Sequence, residues 1–171
     1  MRETSPKSES KHELDELDKQ ILYLLAQDAS SPYTDIAREL NVSSGTIHVR
    51  MRRLEDDGVV LGSHLNLALR ELGYDVCAFV GVYLEKGSQY TGAVEALKAI
   101  EQVVEVHFTT GNYSVFLKIR CINTDALREV LNDKIQKIDG VQRTETFISL
   151  EEHSNNISRL IQALPDHKKS E

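Results

Sequence analysis

YTDIARELNVSSGTIHVRMRRLE, residues 33–55, decides the reading of the N-terminal part of this chain. It reads as two short helices joined by a turn of about three residues, with arginines clustered on the second helix, which is the pattern of a helix-turn-helix. Ser31 is placed to cap the first helix, with Pro32 at its first position, where a missing N–H costs nothing. Ile36, Ala37 and Leu40 form the inward side of that helix. After Asn41 and Val42, Ser43 can cap a second helix that begins near Ser44 and runs to about Asp56.

At roughly 100° per residue, Ile47, Met51 and Leu54 fall on one stripe of the second helix, and Gly45, His48, Val49, Arg52 and Arg53 fall roughly opposite. The stripe packs, and the opposite face is free to enter a major groove. Together with Ser44, Thr46 and Arg50, those five residues make up the expected DNA-contacting set. Arginine forks onto guanine or grips phosphate, His48 donates or accepts, Val49 can touch a thymine methyl, and Gly45 lets the backbone approach closely. Taken alone, the spacing of Arg50, Arg52 and Arg53 favours a solvated face that pairs with Glu55, Asp56 and Asp57. Their place on the second helix of a two-helix unit favours DNA.

A third helix upstream supports that unit. It is expected from Asp15 to Asp28, with Asp15 as N-cap, Asp18 at the third helical position, and Leu17, Ile21, Leu24 and Leu25 at core-facing spacing. Beyond Leu54, Gly58 stands where a helix would stop, and a β-branched run follows that can form a short strand or wing.

Composition bounds the rest. The chain has 171 residues, 40% of them hydrophobic, which suits one large or two small domains. No apolar run approaches the ~20 residues of a membrane span, and the polar start MRETSPKSESKHE is no signal peptide, so a cytoplasmic protein is expected. Cys77 and Cys121 lie in apparent strands, where free buried thiols are the expectation, and neither they nor the histidines show metal-ligand spacing. The net charge of −7 runs against the basic excess common in DNA-binding domains. Between His12 and Leu65, five basic residues (Lys19, Arg38, Arg50, Arg52, Arg53) face ten acidic ones, but three of the five sit within four positions on the second helix. A modest affinity per module follows, and with it a dimer or larger assembly that engages several modules together.

From about Tyr74 to Glu151 the pattern becomes β-α-β then β-α-β, the ferredoxin-like split arrangement. DVCAFVGVYLE, VVEVHFTT, YSVFLKIRC and VQRTETFISLEE are the expected strands, with helices from about Tyr90 to Glu101 and from about Thr124 to Lys137. Gly111-Asn112 suits a tight turn between the second and third strands, and Asp139-Gly140 ends the second helix. The first strand is apolar on both faces, with Phe79, Gly81 and Tyr83 on one and Val80, Val82 and Leu84 on the other. Two helices cover one side of a four-stranded sheet, so the other side is expected to meet the same face of a second subunit. The fold class is therefore α+β, an N-terminal winged helix-turn-helix (14–65), a linker (66–73) and a ferredoxin-like βαββαβ domain (74–151). A disordered tail (1–13) and an extension (152–171), with an amphipathic helix at 154–164, are expected outside them.

The pieces LDELDKQIL, DIARELNVS, RRLEDDGVV, TTGNYSVFLK and DGVQRTETFISL together resemble the leucine-responsive and asparagine-responsive (Lrp/AsnC) family of transcription regulators, over roughly residues 14–151. SGTIHVR, LGYDV, TTGNYS and TETFISL are most similar to its asparagine-responsive branch. The resemblance implies double-stranded DNA as partner, a C-terminal domain that binds a small amino acid and forms dimers, often an octamer, and no resident cofactor or metal. It also implies an effector site at Thr109, Gly111, Asn112, Tyr113 and Ser114, with Thr144 and Thr146 from the fourth strand. Backbone N–H groups at the Gly111 turn can take a carboxylate, and Asn112 can pair with an amide. The bland alternative leaves Gly111-Asn112 a hairpin turn and the threonines strand formers. Many relatives carry aspartate where this chain has Ser114, a departure that favours asparagine or another polar amino acid over leucine. An architectural protein that bridges DNA without a switch is the second reading. An enzyme is not expected, since no phosphate loop or nucleophile motif occurs.

Overall fold

α1 (Glu16–Gln27) opens with a reciprocal cap: the Asp15 side chain accepts from Asp18 N–H at 2.9 Å, and the Asp18 carboxylate accepts from Asp15 N–H at 3.1 Å. The computed structural model describes residues 13–87, 90–152 and 160–161 of the chain. The expected N-terminal tail and C-terminal helix therefore lie outside the described residues, apart from 160–161, which are helical.

α2 (Tyr33–Glu39) starts one residue later than the sequence suggested, with Pro32 as N-cap and no side-chain cap. The Ser31 hydroxyl is directed elsewhere, donating to Asp28 Oδ2 at 3.1 Å. Asn41 then takes a left-handed φ of 57°, a conformation that asparagine tolerates and that turns the chain into α3 (Ser44–Asp56). Ser43 caps α3 as expected, accepting from Thr46 N–H at 3.1 Å. Ile21, Ile36, Ala37, Ile47, Met51 and Leu54 form the core of this unit, with Leu17, Leu24, Leu25 and Leu40 packed around it. Gly58 ends α3 at φ 71°, where a side chain would be strained. The expected wing strand does not form within residues 59–68: Val59 and Val60 both donate to the Leu54 carbonyl, and 61–68 is irregular and exposed.

The second compact unit begins at Asn66. Its elements are β1 (Val76–Leu84), α4 (Tyr90–Lys98), β2 (Val103–Phe108), β3 (Val115–Cys121), α5 (Thr124–Glu129) and β4 (Val141–Ser149). All strand pairs are antiparallel in the order β2-β3-β1-β4, so the two strands that precede the helices are central. That is the βαββαβ arrangement read from the sequence. α4 stops at Lys98 rather than Glu101, and α5 continues as a π-helical turn, Val130–Ile135. Instead of a two-residue hairpin, residues 109–114 make a longer loop between β2 and β3.

The two faces of the sheet differ. Ala78, Val80, Val82, Val115, Leu117 and Ile119 are fully buried beneath Val94 and Leu97 of α4 and Leu127, Val130 and Ile135 of the second helical segment. The opposite face carries Phe79, Gly81, Tyr83, Phe116, Lys118, Glu145 and Phe147, whose register across β3, β1 and β4 is direct. Phe79 and Phe116 stack there at 6.1 Å, and Phe147 is 51% exposed. Cys77 and Cys121 are free and buried. Cys77 stands opposite Arg120 and Cys121 opposite Val76, so the thiols project from opposite faces and cannot bridge.

Candidate nucleic-acid interface and ligand cavity

The eight positions expected on the DNA face do not share one environment. Gly45, His48, Val49 and Arg52 are exposed, with Val49 at 71%. His48 packs edge-on against the Tyr33 ring at 4.8 Å, which fixes the imidazole over α2. Tyr33, His48, Val49, Met51, Arg52 and Glu55 line one open groove along α3. Arg52 carries no ion pair among the described residues. The Thr46 hydroxyl is shared with the Ser43 cap at 2.8 Å, so it serves the helix start. Nothing in the chain itself requires glycine at 45, since an added Cβ would meet only Ser43 Oγ at 3.7 Å.

Arg50 and Arg53 are not free. Arg50 Nη1 donates to Asp15 Oδ2 and, at 2.8 Å, to Asp18 Oδ1, while Arg53 Nη2 donates to Asp18 Oδ2. These acids belong to α1, whereas the sequence suggested Glu55, Asp56 or Asp57 as the partners. Desolvation pushes the Asp15 carboxyl up, but hydrogen bonds from Arg50 and Asp18 outweigh it and hold its pKa below the usual range. Its bonds to the Asp15 and Asp18 carboxylates raise the Arg50 guanidinium. Two of the three cationic side chains that were to make α3 locally positive are thus neutralised within the unit. Tyr33, which the sequence reading missed, is the aromatic support for His48; its spacing in α2 gave no sign of a partner in α3.

In the second unit, the loop 109–114 folds over a cavity of about 390 Å³ lined by Leu84, Gly87, Tyr90, Phe108, Thr109, Thr110, Gly111, Tyr113 and Ser114. The loop is held by one bond within it and one to β1: Thr109 Oγ1 donates to the Tyr113 carbonyl at 2.6 Å, and Ser114 N–H donates to the Val82 carbonyl at 2.9 Å. Tyr90 and Phe108 meet edge-to-face at 4.7 Å and make an aromatic wall. Four of the seven expected effector positions, Thr109, Gly111, Tyr113 and Ser114, line this cavity together. Asn112 is exposed at the loop tip and is not among the lining residues.

Thr144 and Thr146 are not brought to it. They stand opposite Val82 and Val80 on β4, on the helix-covered face and separated from β3 by the whole width of β1. β4 reaches the loop through the residue between them. Glu145 accepts from Tyr113 Oη at 2.8 Å, from Tyr83 Oη at 3.0 Å and from Arg143 Nη1 at 2.6 Å. Those bonds, Tyr113's first, hold the Glu145 carboxyl below its ordinary range, and the bond to Glu145 raises the Tyr113 phenol. Arg143 also lies over the Tyr83 ring, 3.6 Å from its centroid.

Tyr113 can lie there only because residue 81 is glycine. A Cβ at Gly81 would sit 2.3 Å from Tyr113 Cδ1 and 2.5 Å from Cε1, closer than real contacts allow. The ring is fixed from the sides by Tyr83 at 5.1 Å and Phe116 at 5.8 Å. Neither the role of Gly81 nor that of Glu145 was visible in the sequence, although the glycine in the middle of an apolar strand was a signal of close approach.

Comparison with known proteins matches both units. Residues 77–158 fit the family model described as Lrp/AsnC ligand binding domain, and residues 14–60 fit that described as winged helix-turn-helix DNA-binding. The regulatory protein AsnC of Haemophilus influenzae is 43% identical over 140 residues, covering 82% of this chain and 93% of that one. The structure of Escherichia coli AsnC superposes with a TM-score of 0.81 at 38% identity, covering 86% of this chain and 99% of that one. The feast or famine regulatory protein of M. tuberculosis, complexed with L-methionine, superposes with a TM-score of 0.79 at 28% identity, covering 85% and 97% of the two chains. Among the described residues, no helix is long and apolar enough to cross a membrane and no cluster of side chains could hold a metal.

Proposed function

The chain belongs to the Lrp/AsnC family of transcriptional regulators, and from that premise we propose that it binds specific operators with α3 and that its assembly and operator affinity respond to a small amino acid, with asparagine favoured. The observation that carries the amino-acid response is the cavity under the loop 109–114, which combines polar loop groups with the Tyr90–Phe108 wall in a space suited to a small molecule. The relative complexed with L-methionine supports an amino acid as the ligand class. Asparagine rests on the likeness to the asparagine-responsive branch and on Ser114, whose hydroxyl offers a neutral donor and acceptor. His48, Val49 and Arg52 on the exposed face, with Ser44, Gly45 and Thr46 at the start of α3, are the residues proposed to meet DNA.

The open face of the sheet, with Phe79 and Phe116 half-buried and Phe147 exposed, is proposed to pair with a second copy and so present two reading helices, with larger assemblies built from such dimers. A ligand changes operator affinity only if it binds one assembly state better than another.

Fluorescence anisotropy at physiological salt, with DNA from upstream of the protein's own gene against a random duplex, tests the whole reading. Selective binding altered by asparagine is the expected result. Selective binding indifferent to asparagine removes that effector, and an absence of selectivity turns the reading toward an architectural protein that bridges DNA. Gly111→Leu separates the ligand site from the fold. Among the described residues, its two chain neighbours aside, no atom lies within 4 Å of a Cβ added there, so the variant folds, while its side chain can occupy the cavity mouth. The asparagine response of DNA binding should then fall at least about tenfold in apparent ligand affinity, a loss of about 1.4 kcal/mol. A response equal to that of the unaltered chain would take the loop out of the ligand site.

A further inference from the structure

Asp18 is the one acidic side chain of the described residues that is fully buried, and it is placed against the helix proposed to read DNA. One oxygen accepts from Arg50, the other from Arg53 and from the Asp15 backbone N–H. Asp15 adds a second carboxylate to Arg50. The four charges cancel in place, two carboxylates against two guanidinium groups, even though Arg53 remains 48% exposed. Arg52, between them in sequence, points to the groove beside His48 and Val49 without an ion pair among the described residues. A buried carboxylate with two arginines is costly to desolvate and adds little net stability over an apolar contact of similar volume, so stability alone gives a weak account of it.

We propose that Asp18 is a positioning residue that withdraws Arg50 and Arg53 from the DNA phosphates and leaves Arg52 as the arginine of α3 that meets the duplex. The inference rests on the DNA-binding reading and says how it gains selectivity. Phosphate contacts raise affinity for every sequence alike, whereas base-edge contacts discriminate. Arginines held by a carboxylate on α1 therefore lower the nonspecific background of a reading helix without removing their charge from the chain.

The test is the salt dependence of binding by the full-length protein, to a random duplex and to the duplex it selects from a random pool. Each phosphate neutralised contributes a slope of about −0.9 in log K against log salt. Arg52→Gln should make the slope shallower by about 0.9 per bound subunit. Arg53→Gln should leave it unchanged. Asp18→Asn keeps an acceptor for the Asp15 N–H and the size of the side chain but removes the charge. It should steepen the slope by about 0.9 for each arginine released and tighten random-duplex binding roughly tenfold per arginine near 0.1 M salt. Selectivity between the two duplexes should fall, and Asp18→Glu should restore it in part.

Arg53→Gln lowering the slope as much as Arg52→Gln would overturn the proposal, because Arg53 would then be a phosphate contact. So would an Asp18→Asn protein, folded by circular dichroism, that loses affinity for both duplexes alike at an unchanged slope. If Asp18→Asn does not fold, the two arginine variants decide alone. An unaltered protein that binds neither duplex would end the DNA reading itself, an outcome separate from either of these.

Discussion

Replacing Gly81 with alanine is expected to expel the Tyr113 ring from its seat on β1 and to disable the cavity proposed for the ligand and the open sheet face together. The added Cβ would overlap the ring at 2.3 to 2.6 Å, and the strand beneath is one of the two central ones, bonded on both sides, so the backbone cannot retreat. The ring must move. Its hydroxyl then leaves Glu145, and its edge contact with Tyr83 is broken. Overpacking of this kind costs about 1–3 kcal/mol. The functional loss should exceed the loss of stability, because Tyr113 lines the cavity with one side and bonds to the open face with its tip. Urea denaturation checks the physical cause. Tyr113→Ala made in the Gly81→Ala background should recover stability, although on its own it lowers it, a coupling of opposite sign to simple addition. Additive losses would mean that the ring has room to move aside at little cost.

Ile47→Ala should have the largest effect on DNA binding. Ile47 is fully buried on the inner stripe of α3, against Ile21, Ile36 and Leu54. Truncating such a residue costs about 2–5 kcal/mol. A unit of about 50 residues has a total stability of only a few kcal/mol, at roughly 0.05–0.15 kcal/mol per residue. The N-terminal unit should therefore lose most of its folded population at 37 °C, and operator binding with it. The second unit has a separate core, built on Val80, Leu117 and Ile119, and should keep its amino-acid binding. Two thermal transitions, with only the one assigned to the N-terminal unit shifted, are the expected observation. A single transition shifted as a whole would show that the two units unfold together.

Local features were legible because they are decided by a few neighbouring residues. Asp15 and Asp18 announce their reciprocal cap, Ser43 announces the start of α3 and Gly58 its end. YSVFLKIRC was legible as a strand, and in β3 every second residue from Val115 to Cys121 is enclosed. What was missed lies between elements. A helical wheel gives the direction of Arg50 and Arg53 on α3, but their partners are 32 to 35 positions earlier, so no spacing on the helix itself reveals them. Ser31 was a good cap by type, yet Pro32 takes the N-cap position and the Ser31 hydroxyl donates to Asp28 instead. Thr144 and Thr146 were assigned to the ligand site by resemblance. The alternation of β4 places them on the helix-covered side with Val82 and Val80, and the residue between them, Glu145, makes the connection to the loop. Gly111-Asn112 has the composition of a tight turn, but the cross-loop bond from Thr109 to Tyr113 sets a longer one.

The irregular stretch 61–68 carries no strand or helix, and its residues are exposed throughout. A chain can be cut and rejoined at such a place without disturbing either core, since no ladder hydrogen bond has to be broken. The two halves of this protein are in that sense interchangeable parts. A chimaera joined within this stretch, with the reading unit of another family member and residues 66–152 of this one, should fold, respond to the amino acid this chain responds to, and recognise the operator of the donor. On the function proposed above, such an exchange would change the operator that is read and keep the response to the amino acid.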